Sequence, residues 1–302
     1  MDILNSIDKK IAVLITCHNR REKTINCLRS LFEADLDKNY KLDIFLVDDG
    51  STDGTSELVK AHFPKVKIIK GSGSLYWNGG MRLAWEVASK AKEFDFYLWL
   101  NDDTILKPFA LNNMLLDYEK ILKKTNNKSL IAGACHKQGT TDFSYGGLNK
   151  NGPIIPNGEP QECKYINGNI VLIPKAIYDK IGNLSSNYTH AIGDYDYGLR
   201  AQNAGFGCYT TSSFISECSN NPIPAWEDPK TPLWKRFALL YSPHGLNIKE
   251  FIKFTIYHQG KFAVIPLYIK IYLKVLSPKF YNFLKYLFNR GLLLLLTSLF
   301  NT

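Results

Sequence analysis

The sequence predicts an α/β fold with a mostly parallel sheet and helices on both faces. Three observations support this fold class. Apolar strand segments alternate with amphipathic helical segments through the first hundred residues of the 302-residue chain. The strand segments are continuously apolar, which is typical of strands buried on both faces, and helical crossovers join parallel strands. Ligands of such sheets bind outside the carboxyl ends of the strands.

The elements follow in order along the chain. An apolar strand at 10–17 precedes a helix at 20–33, in which Ile25, Leu28 and Leu31 share one face. The same pattern continues with a strand at 41–49, a helix at 55–63, a strand at 65–70, a helix at 79–91 and a strand at 95–103. Beyond these, helices are predicted at 109–124 and 193–205, separated by short strands and loops, and the chain after residue 229 is predicted to be helical.

Composition and charge exclude several classes of protein. Hydrophobic residues at 45% and aromatic residues at 13% indicate a globular chain. The six cysteines show no metal-binding spacing and the first ten residues are polar, so we expect reduced thiols in a cytosolic protein. The net charge of +9 lies in the tail, because residues 229–302 hold eleven basic residues and one acid. No known nucleic-acid recognition motif accompanies these basic residues, which argues against nucleic-acid binding.

Two predicted strands end in paired carboxylates. "IFLVDDGSTDGT" ends on Asp48 and Asp49, and "LWLNDDT" ends on Asn101, Asp102 and Asp103. Aspartate at a strand end is also common turn chemistry. Two such ends at one sheet edge favour a site for Mg²⁺ or Mn²⁺. These ions take oxygen ligands, a few from the protein and the rest from phosphate and water, so a diphosphate ligand is implied. The chain contains neither a P-loop nor a G-x-G-x-x-G fingerprint.

The ordered set of motifs resembles the family 2 glycosyltransferases with the GT-A fold, especially bacterial rhamnosyltransferase-like members. The similarity covers about residues 10–220 and rests on "AVLITCHNR", "IFLVDDGSTDGT", "LYWNGGMRLAWE", "LWLNDDT", "NGNIVLIPKAIYDKIG" and "AIGDYDYGLRAQNAG". It implies inverting, metal-dependent transfer of a sugar from a nucleoside-diphosphate sugar. Rhamnose from dTDP-rhamnose is the favoured sugar and a UDP-sugar is next, in the synthesis of bacterial surface polysaccharide.

The resemblance also implies donor-binding positions. It places the nucleobase and ribose near Thr16 and the first aspartate pair, a phosphate near Arg82, and close backbone approach at the two glycines. Trp77 is expected to stack on the base or shape the sugar pocket, although a core tryptophan is an open alternative. Asp48 has the alternative of capping the turn at 51–55. The full donor-binding set is Thr16, Asn19, Asp48, Asp49, Trp77, Gly79, Gly80, Arg82 and Asp102.

"NDDT" takes the place of the family's D-x-D metal motif. Asp103 is the expected main ligand of Mg²⁺ or Mn²⁺, with Asn101 as a second ligand and Asp102 as a sugar-hydroxyl or outer contact. Relatives often add a later histidine, but this chain has "FISECSNN" there. Glu217 or His244 is the expected substitute.

"GDYDYGLR" takes the place of the family's E-D-x-D-x-x-x-R motif. Gly193 replaces the glutamate, so Asp194 matches the catalytic carboxylate that deprotonates the acceptor hydroxyl. Helix capping is the structural alternative for Asp194. Asp196 and Arg200 are four residues apart and are expected to form an ion pair.

Three regions are predicted. Residues 1–108 form a nucleotide-sugar-binding subdomain, 109–228 form the acceptor and catalytic subdomain of the same GT-A domain, and 229–302 form a membrane-associating helical region. Residues 261–302 interleave six basic residues with aromatic and apolar ones, which is typical of a helix in the membrane interface. The longest uncharged run, 291–302, is shorter than the roughly 20 residues of a spanning helix. A helical cap packed on the catalytic domain is the alternative.

The expected partners are a nucleoside-diphosphate sugar, a free or lipid-linked glycan acceptor, and the anionic inner face of the cell membrane, with the protein peripheral and cytoplasmic. The alternative function is a catalytically idle module that binds sugar nucleotides or glycans, which Asn101 and the missing histidine favour. A nucleotidyltransferase would need a glycine-rich loop after the first strand, where this chain has "TCHNRREK".

Overall fold

The computed structural model describes residues 8–219 and 221–289. These residues divide into two compact units. The first runs to Thr189 and resumes at Gly193, and the second contains His190–Ile192 and the described residues from Asn221 onwards.

The first unit is built around a ten-stranded sheet, with a separate three-stranded sheet beside it. The strands are β1 (Lys9–Cys17), β2 (Tyr40–Asp48), β3 (Lys67–Lys70), β4 (Phe96–Leu100), β5 (Ile105–Leu106), β6 (Ser129–His136), β7 (Phe143–Tyr145), β8 (Gly147–Asn149), β9 (Gly152–Pro153), β10 (Gln161–Glu162), β11 (Tyr165–Ile166), β12 (Ile170–Pro174) and β13 (Gly207–Glu217). The main order is β10-β13-β6-β12-β4-β1-β2-β3, with β5 on β13 and β7 on β6, and the small sheet has the order β11-β8-β9. Strands β3, β2, β1 and β4 are parallel, and β12 enters antiparallel between β4 and β6.

The helices of the first unit are α1 (Arg21–Glu33), α2 (Thr55–His62), α3 (Tyr76–Ala91), α4 (Ala110–Thr125), α5 (Lys175–Ile181) and α6 (Gly193–Asn203). Those of the second unit are α7 (Leu233–Leu240), α8 (Ile248–Gln259), α9 (Val264–Leu276) and α10 (Pro278–Asn289), with a short 3₁₀ helix at Lys261–Ala263.

Both faces of the sheet are buried. Along β1, Val13 belongs to the core shared with α1 and α4, whereas Leu14 belongs to the core shared with α3 and α6. This alternation follows from the two-residue period of a strand, and it explains why the sequence of β1 is apolar throughout. The predicted mostly parallel sheet with helices on both faces is therefore confirmed.

An aromatic cluster lies between α3 and the sheet. Trp85 of α3 stacks on Tyr178 at a centroid distance of 5.0 Å and meets Trp99 of β4 edge-on at 5.6 Å. Trp99 in turn meets Trp77 edge-on at 5.9 Å. These large rings, of which Trp85 and Trp99 are fully buried, fix the start of α3 over the end of β4.

The second unit has its own small core, formed by Trp226, Leu240, Ile248, Ile271 and Val275. The predicted helical character of the chain after residue 229 is confirmed up to residue 289, and the uncharged run 291–302 lies outside the described residues. Within residues 8–219 and 221–289, no helix is long and apolar enough to cross a bilayer.

Candidate active site

The parallel strands end at one edge of the sheet. Cys17 at the end of β1 is paired in register with Asp48 at the end of β2, and β4 ends at Leu100. The structure therefore brings the two predicted carboxylate turns to the same edge as Thr16 and Asn19. Asp194, at the start of α6, is tied to this edge through Gly168, whose backbone N–H bonds to its carboxylate.

Asp48 is occupied by local partners. Its Oδ1 accepts a hydrogen bond from the Ser51 backbone N–H at 2.8 Å, and its Oδ2 accepts one from the Ser56 hydroxyl. The carboxylate therefore caps the turn after β2, which is the structural alternative that the sequence left open. Any contact of Asp48 with a donor ribose stays a prediction.

Asp49 is held by three backbone amides. Gly73 donates to Oδ1 at 2.7 Å, and Leu75 and Tyr76 donate to Oδ2 at 2.7 and 3.1 Å. Asp49 is buried, so these bonds provide the compensation that a buried carboxylate requires. They also fix the loop that leads into α3, and with it the position of Trp77.

The predicted glycines allow close packing at the start of α3. A Cβ atom on Gly80 would collide with the Thr16 hydroxyl, so only glycine lets the helix approach the end of β1 this closely. A Cβ on Gly79 would lie 3.3 Å from the Leu75 Cβ. Arg82, one turn further along α3, is partly exposed. Asn19 has φ = 51° and accepts a hydrogen bond from the Thr52 N–H at 2.7 Å.

Trp77 joins two parts of the site. Its indole Nε1 donates to Asn101 Oδ1 at 2.6 Å. The six-membered part of the indole packs over Gly168, where a Cβ atom would lie 2.5 Å from Trp77 Cζ2. Trp77 is thus partly a packing residue, and its predicted contact with the donor stays a prediction.

Asp194 is held by two backbone amides. Gly168 donates to Oδ2 at 2.8 Å and Tyr195 donates to Oδ1 at 2.9 Å. No basic side chain of the described chain pairs with it, and burial raises the pKa of this carboxyl to about 6. In contrast, Asp196 accepts from Arg200 Nε at 2.8 Å, so the predicted ion pair is confirmed.

The carboxylates of "NDDT" share one guanidinium. Arg20 Nη1 donates to Asp102 Oδ1 at 2.9 Å, and its Nη2 donates to Asp103 Oδ2. Lys23 Nζ lies 3.9 Å from Asp103 Oδ2. Burial raises the pKa of Asp102 to about 7, against the opposing effect of Arg20. Its Oδ2 is buried and has no hydrogen-bond partner among residues 8–219 and 221–289. Sequence reasoning missed Arg20.

Glu217 and His244 are the residues expected from the sequence to supply a third metal ligand. Glu217 Oε1 lies 3.7 Å from His136 Nε2, and His244 belongs to the second unit. Cys218 Sγ lies 3.7 Å from Asp103 Oδ1, but burial raises the pKa of this thiol to about 12, so it is protonated. In the part of the chain that the structure describes, no three His, Cys, Asp or Glu side chains form a group that could hold a metal.

The side-chain oxygens of Asn101, Asp102 and Asp103 are nevertheless suitable ligands for a hard cation. The two carboxylates already hold a guanidinium between them, which shows that this position attracts positive charge. Among the described residues, only the weakly donating thiol of Cys218 lies within hydrogen-bonding reach of Asp103 Oδ1. The amide oxygen of Asn101 has two lone pairs, and Trp77 uses one of them. Oxygen ligands of this kind suit Mg²⁺ or Mn²⁺.

Comparisons with known proteins agree with this architecture. A family model described as Glycosyl transferase family 2 matches residues 12–170, which is more than half of the chain and includes both carboxylate turns. Asp194 lies beyond the matched range. This match confirms the predicted resemblance to the family 2 glycosyltransferases. No curated protein matches the sequence significantly.

The solved structures that are similar to the chain include the following two. One is the crystal structure of S. aureus TarS, with 16% identity, a TM-score of 0.48, and coverage of 77% of this chain and 40% of that chain. The other is the mannosyltransferase PcManGT from Pyrobaculum calidifontis in complex with GDP-Man and Mn²⁺, with 14% identity, a TM-score of 0.50, and coverage of 78% of this chain and 62% of that chain. The chain therefore spans less than two thirds of either structure, and the likeness is one of fold.

Gly168→Ala tests the packing beneath the site. The new Cβ would overlap the Trp77 ring and lie 3.3 Å from Asp194 Cβ, so the indole must shift. We expect the free energy of unfolding to fall by about 1–3 kcal/mol and the tryptophan fluorescence spectrum to change. Denaturant unfolding monitored by fluorescence measures both.

The matched control is Gly198→Ala on α6, whose Cβ would meet only the side chain of Ile166, at 3.2 Å, and would not approach Trp77. This control should keep the wild-type spectrum. An unchanged unfolding midpoint and spectrum in Gly168→Ala would contradict the packing described here.

Proposed function

We propose, on the premise that the chain belongs to glycosyl transferase family 2 and is a glycosyltransferase, that it moves a sugar from a nucleoside-diphosphate donor to a glycan hydroxyl with inversion. Rhamnose from dTDP-rhamnose is the favoured sugar and a UDP-sugar is next. The acceptor is a free or lipid-linked glycan in the synthesis of a bacterial surface polysaccharide.

One observation carries the proposal. The Trp77 indole bonds to Asn101 beside the Asp102–Asp103 pair and packs over Gly168, whose N–H donates to Asp194. A cation-attracting carboxylate pair and an isolated carboxylate with a raised pKa are therefore joined by one rigid ring. Transfer from a diphosphate needs both kinds of group, one toward the leaving diphosphate and one toward the acceptor.

In the proposed reaction, Asp194 accepts the proton of the acceptor hydroxyl. That oxygen forms a bond to the anomeric carbon while the bond between this carbon and the diphosphate oxygen breaks, and the diphosphate leaves with the bonding electrons. Attack from the side opposite the leaving group inverts the centre. The backbone N–H groups of Gly168 and Tyr195 hold the carboxylate in place for the proton transfer.

Asp103, with Asn101 as a second ligand, is proposed to hold Mg²⁺ or Mn²⁺. Such a cation, when bound, stabilises the negative charge of a leaving diphosphate. Asp102, the buried neighbour of Asp103, is proposed to orient this turn and to contact the donor sugar.

Donor turnover tests the function. Purified protein is incubated with dTDP-rhamnose, UDP-sugars and GDP-sugars, with Mn²⁺ or with EDTA, and release of nucleoside diphosphate is measured. We expect release from one donor class with Mn²⁺, and Asp103→Ala should lower it by roughly 10²-fold or more. Asp142→Ala, at an exposed aspartate near Lys137, is the control. Donor binding without turnover by any donor and acceptor would instead indicate an idle binding module.

The role of Asp194 predicts a pH dependence. The carboxylate must be ionised to accept a proton, and its pKa is raised to about 6. We therefore expect kcat/KM to be constant well above this pH and to fall about tenfold for each pH unit below it, in inverse proportion to the proton concentration. Asp194→Asn should bind donor normally but lose transfer by roughly 10²–10⁴-fold.

Asp196→Asn serves as the comparison, because it breaks the ion pair with Arg200 and should mainly lower stability. If Asp196→Asn abolished transfer in a folded protein while Asp194→Asn remained active, the base would have been assigned to the wrong carboxylate.

The second unit supports a proposal of membrane association. The outer face of α9 is apolar, since Ile265, Ile269 and Leu276 are 61, 44 and 54% exposed at helical spacing. Phe262 before it is 87% exposed, and Phe280 of α10 is 49% exposed. Residues 261–302 carry six basic residues and no acid. Apolar and basic residues together suit the interface of an anionic membrane, where each well-placed basic residue contributes about 1 kcal/mol.

Sedimentation with anionic liposomes tests this association. Full-length protein should bind at low salt and bind less at high salt. The triple variant Ile265→Ser, Ile269→Ser, Leu276→Ser should remain largely in the supernatant. Point substitutions are preferable to truncation, because Ile271 and Val275 of the same helix belong to the core of the second unit.

The control replaces three exposed apolar residues of the first unit by serine: Phe109, Leu116 and Ile155. It should bind liposomes as the wild type does. If full-length protein stays in the supernatant at low salt, the proposed membrane association is wrong.

A further inference from the structure

We propose that Arg20 is a further residue of the transfer site. Its guanidinium holds the Asp102–Asp103 pair before substrate binds and then moves to the donor diphosphate. This inference rests on the proposed function. Arg20 lies in none of the positions that the sequence assigned to the donor, the cation or the base.

The first argument is geometric. The guanidinium bonds to both neighbouring carboxylates, through Nη1 to Asp102 and through Nη2 to Asp103. The backbone of Arg20 is fixed directly before α1, and the Cys27 thiol of that helix donates to the Asn101 carbonyl at 3.2 Å. The arginine and the carboxylate turn are therefore held at a constant separation, and only the side chain is free to change partner.

The second argument is charge. Arg20 and Lys23 face Asp102 and Asp103, so two positive groups oppose two carboxylates. A divalent cation on Asp103 would add two positive charges within a few ångströms of the guanidinium. Like charges at that separation repel strongly in a partly buried site. The cation and Arg20 therefore compete for Asp103, and binding of the cation releases the arginine.

The third argument is position. Asn19 bonds to Thr52 in the turn after β2, and Arg20, the next residue, bonds to the turn after β4. A nucleoside diphosphate that reaches from the first turn to the second must place its phosphates between them. The Arg20 side chain is 37% exposed and borders a solvent-open depression with Asn19, Lys23 and Asp53. The released guanidinium therefore has room to reach a phosphate, which it can bind through two parallel N–H bonds.

Binding measurements on Arg20→Met test the exchange. Mn²⁺ binding without nucleotide is measured from the electron paramagnetic resonance signal of free Mn²⁺. Loss of the competing guanidinium should tighten Mn²⁺ binding by about tenfold. The nucleotide tested is the one of dTDP, UDP and GDP that the wild type binds. In saturating Mn²⁺, loss of the contact between Arg20 and the phosphates should weaken binding of this nucleotide by about tenfold. Calorimetry measures the second effect.

Arg29→Met is the matched control, because Arg29 is an exposed residue of α1 that bonds to Asn26 on the same helix. It should change neither affinity. Arg20→Lys keeps the charge but cannot form the two parallel N–H bonds of a guanidinium. Its affinities for Mn²⁺ and for the nucleotide should therefore lie between those of the wild type and Arg20→Met. This variant also serves if Arg20→Met fails to fold.

The inference is overturned if Arg20→Met, or Arg20→Lys in its place, binds Mn²⁺ no more tightly than the wild type, or binds the nucleotide equally well. Either result would leave Arg20 as a structural partner of the turn. Wild-type protein that binds no Mn²⁺ in the presence of nucleotide would also overturn it. If these affinities change as expected but no donor is turned over, the exchange stands and the proposed transfer fails.

Discussion

The register of β1 between β2 and β4 is the constraint on which the site depends. Thr16 and Cys17 of β1 stand opposite Val47 and Asp48 of β2, while Leu14 stands opposite Trp99 of β4. The three parallel strands therefore end at nearly the same level, and the polar residues that follow them form one row. All three strands are buried on both faces, and a slip of one residue would exchange the two faces of a strand, so the register is strongly determined.

Carboxylates gathered at one edge repel one another, and the structure compensates for them in different ways. Asp49 is fixed by three backbone N–H groups that cannot leave without unfolding the loop. Asp102 and Asp103 share the guanidinium of Arg20, a side chain that is proposed to change partner. Asp194 receives two backbone bonds and no cation from the described residues, so its pKa stays raised. These differences suit the roles proposed for these carboxylates: a scaffold residue, a site of cation exchange and a proton acceptor, respectively.

The regular part of the fold could be predicted from the sequence because its period is clear. The helix predicted at 20–33 is Arg21–Glu33, whereas the strand predicted at 95–103 ends earlier, at Leu100, because the polar turn begins there. The small sheet of β8, β9 and β11 was not predicted, since strands of two or three residues show no period. Arg20 was missed because its partner Asp102 lies 82 positions away, and one sequence does not report such a contact.

The packing of Gly193 could not be predicted for a similar reason. The sequence shows only that a glycine stands where relatives have glutamate. In the structure, a Cβ atom on Gly193 would collide with the side-chain oxygen of Asn78, which is fully buried. Asn78 Nδ2 donates to the carbonyls of Ser185 and Tyr188 at 2.9 and 2.7 Å. The space that a larger residue would need is thus taken by an amide that ties α3 to the loop before α6.

The contact with Trp77 explains why an asparagine suits position 101, where the family's motif has aspartate. The proposed transfer requires the carboxylate assigned as base and the turn assigned to the cation to keep a fixed separation. Trp77, a rigid ring backed by Trp99, connects the two. Its indole N–H needs an acceptor at position 101, and an amide oxygen supplies one without adding charge. A carboxylate there would be a third negative group beside Asp102, whose pKa is already raised by burial. An asparagine therefore satisfies the ring and leaves the charge of the site to Asp102 and Asp103.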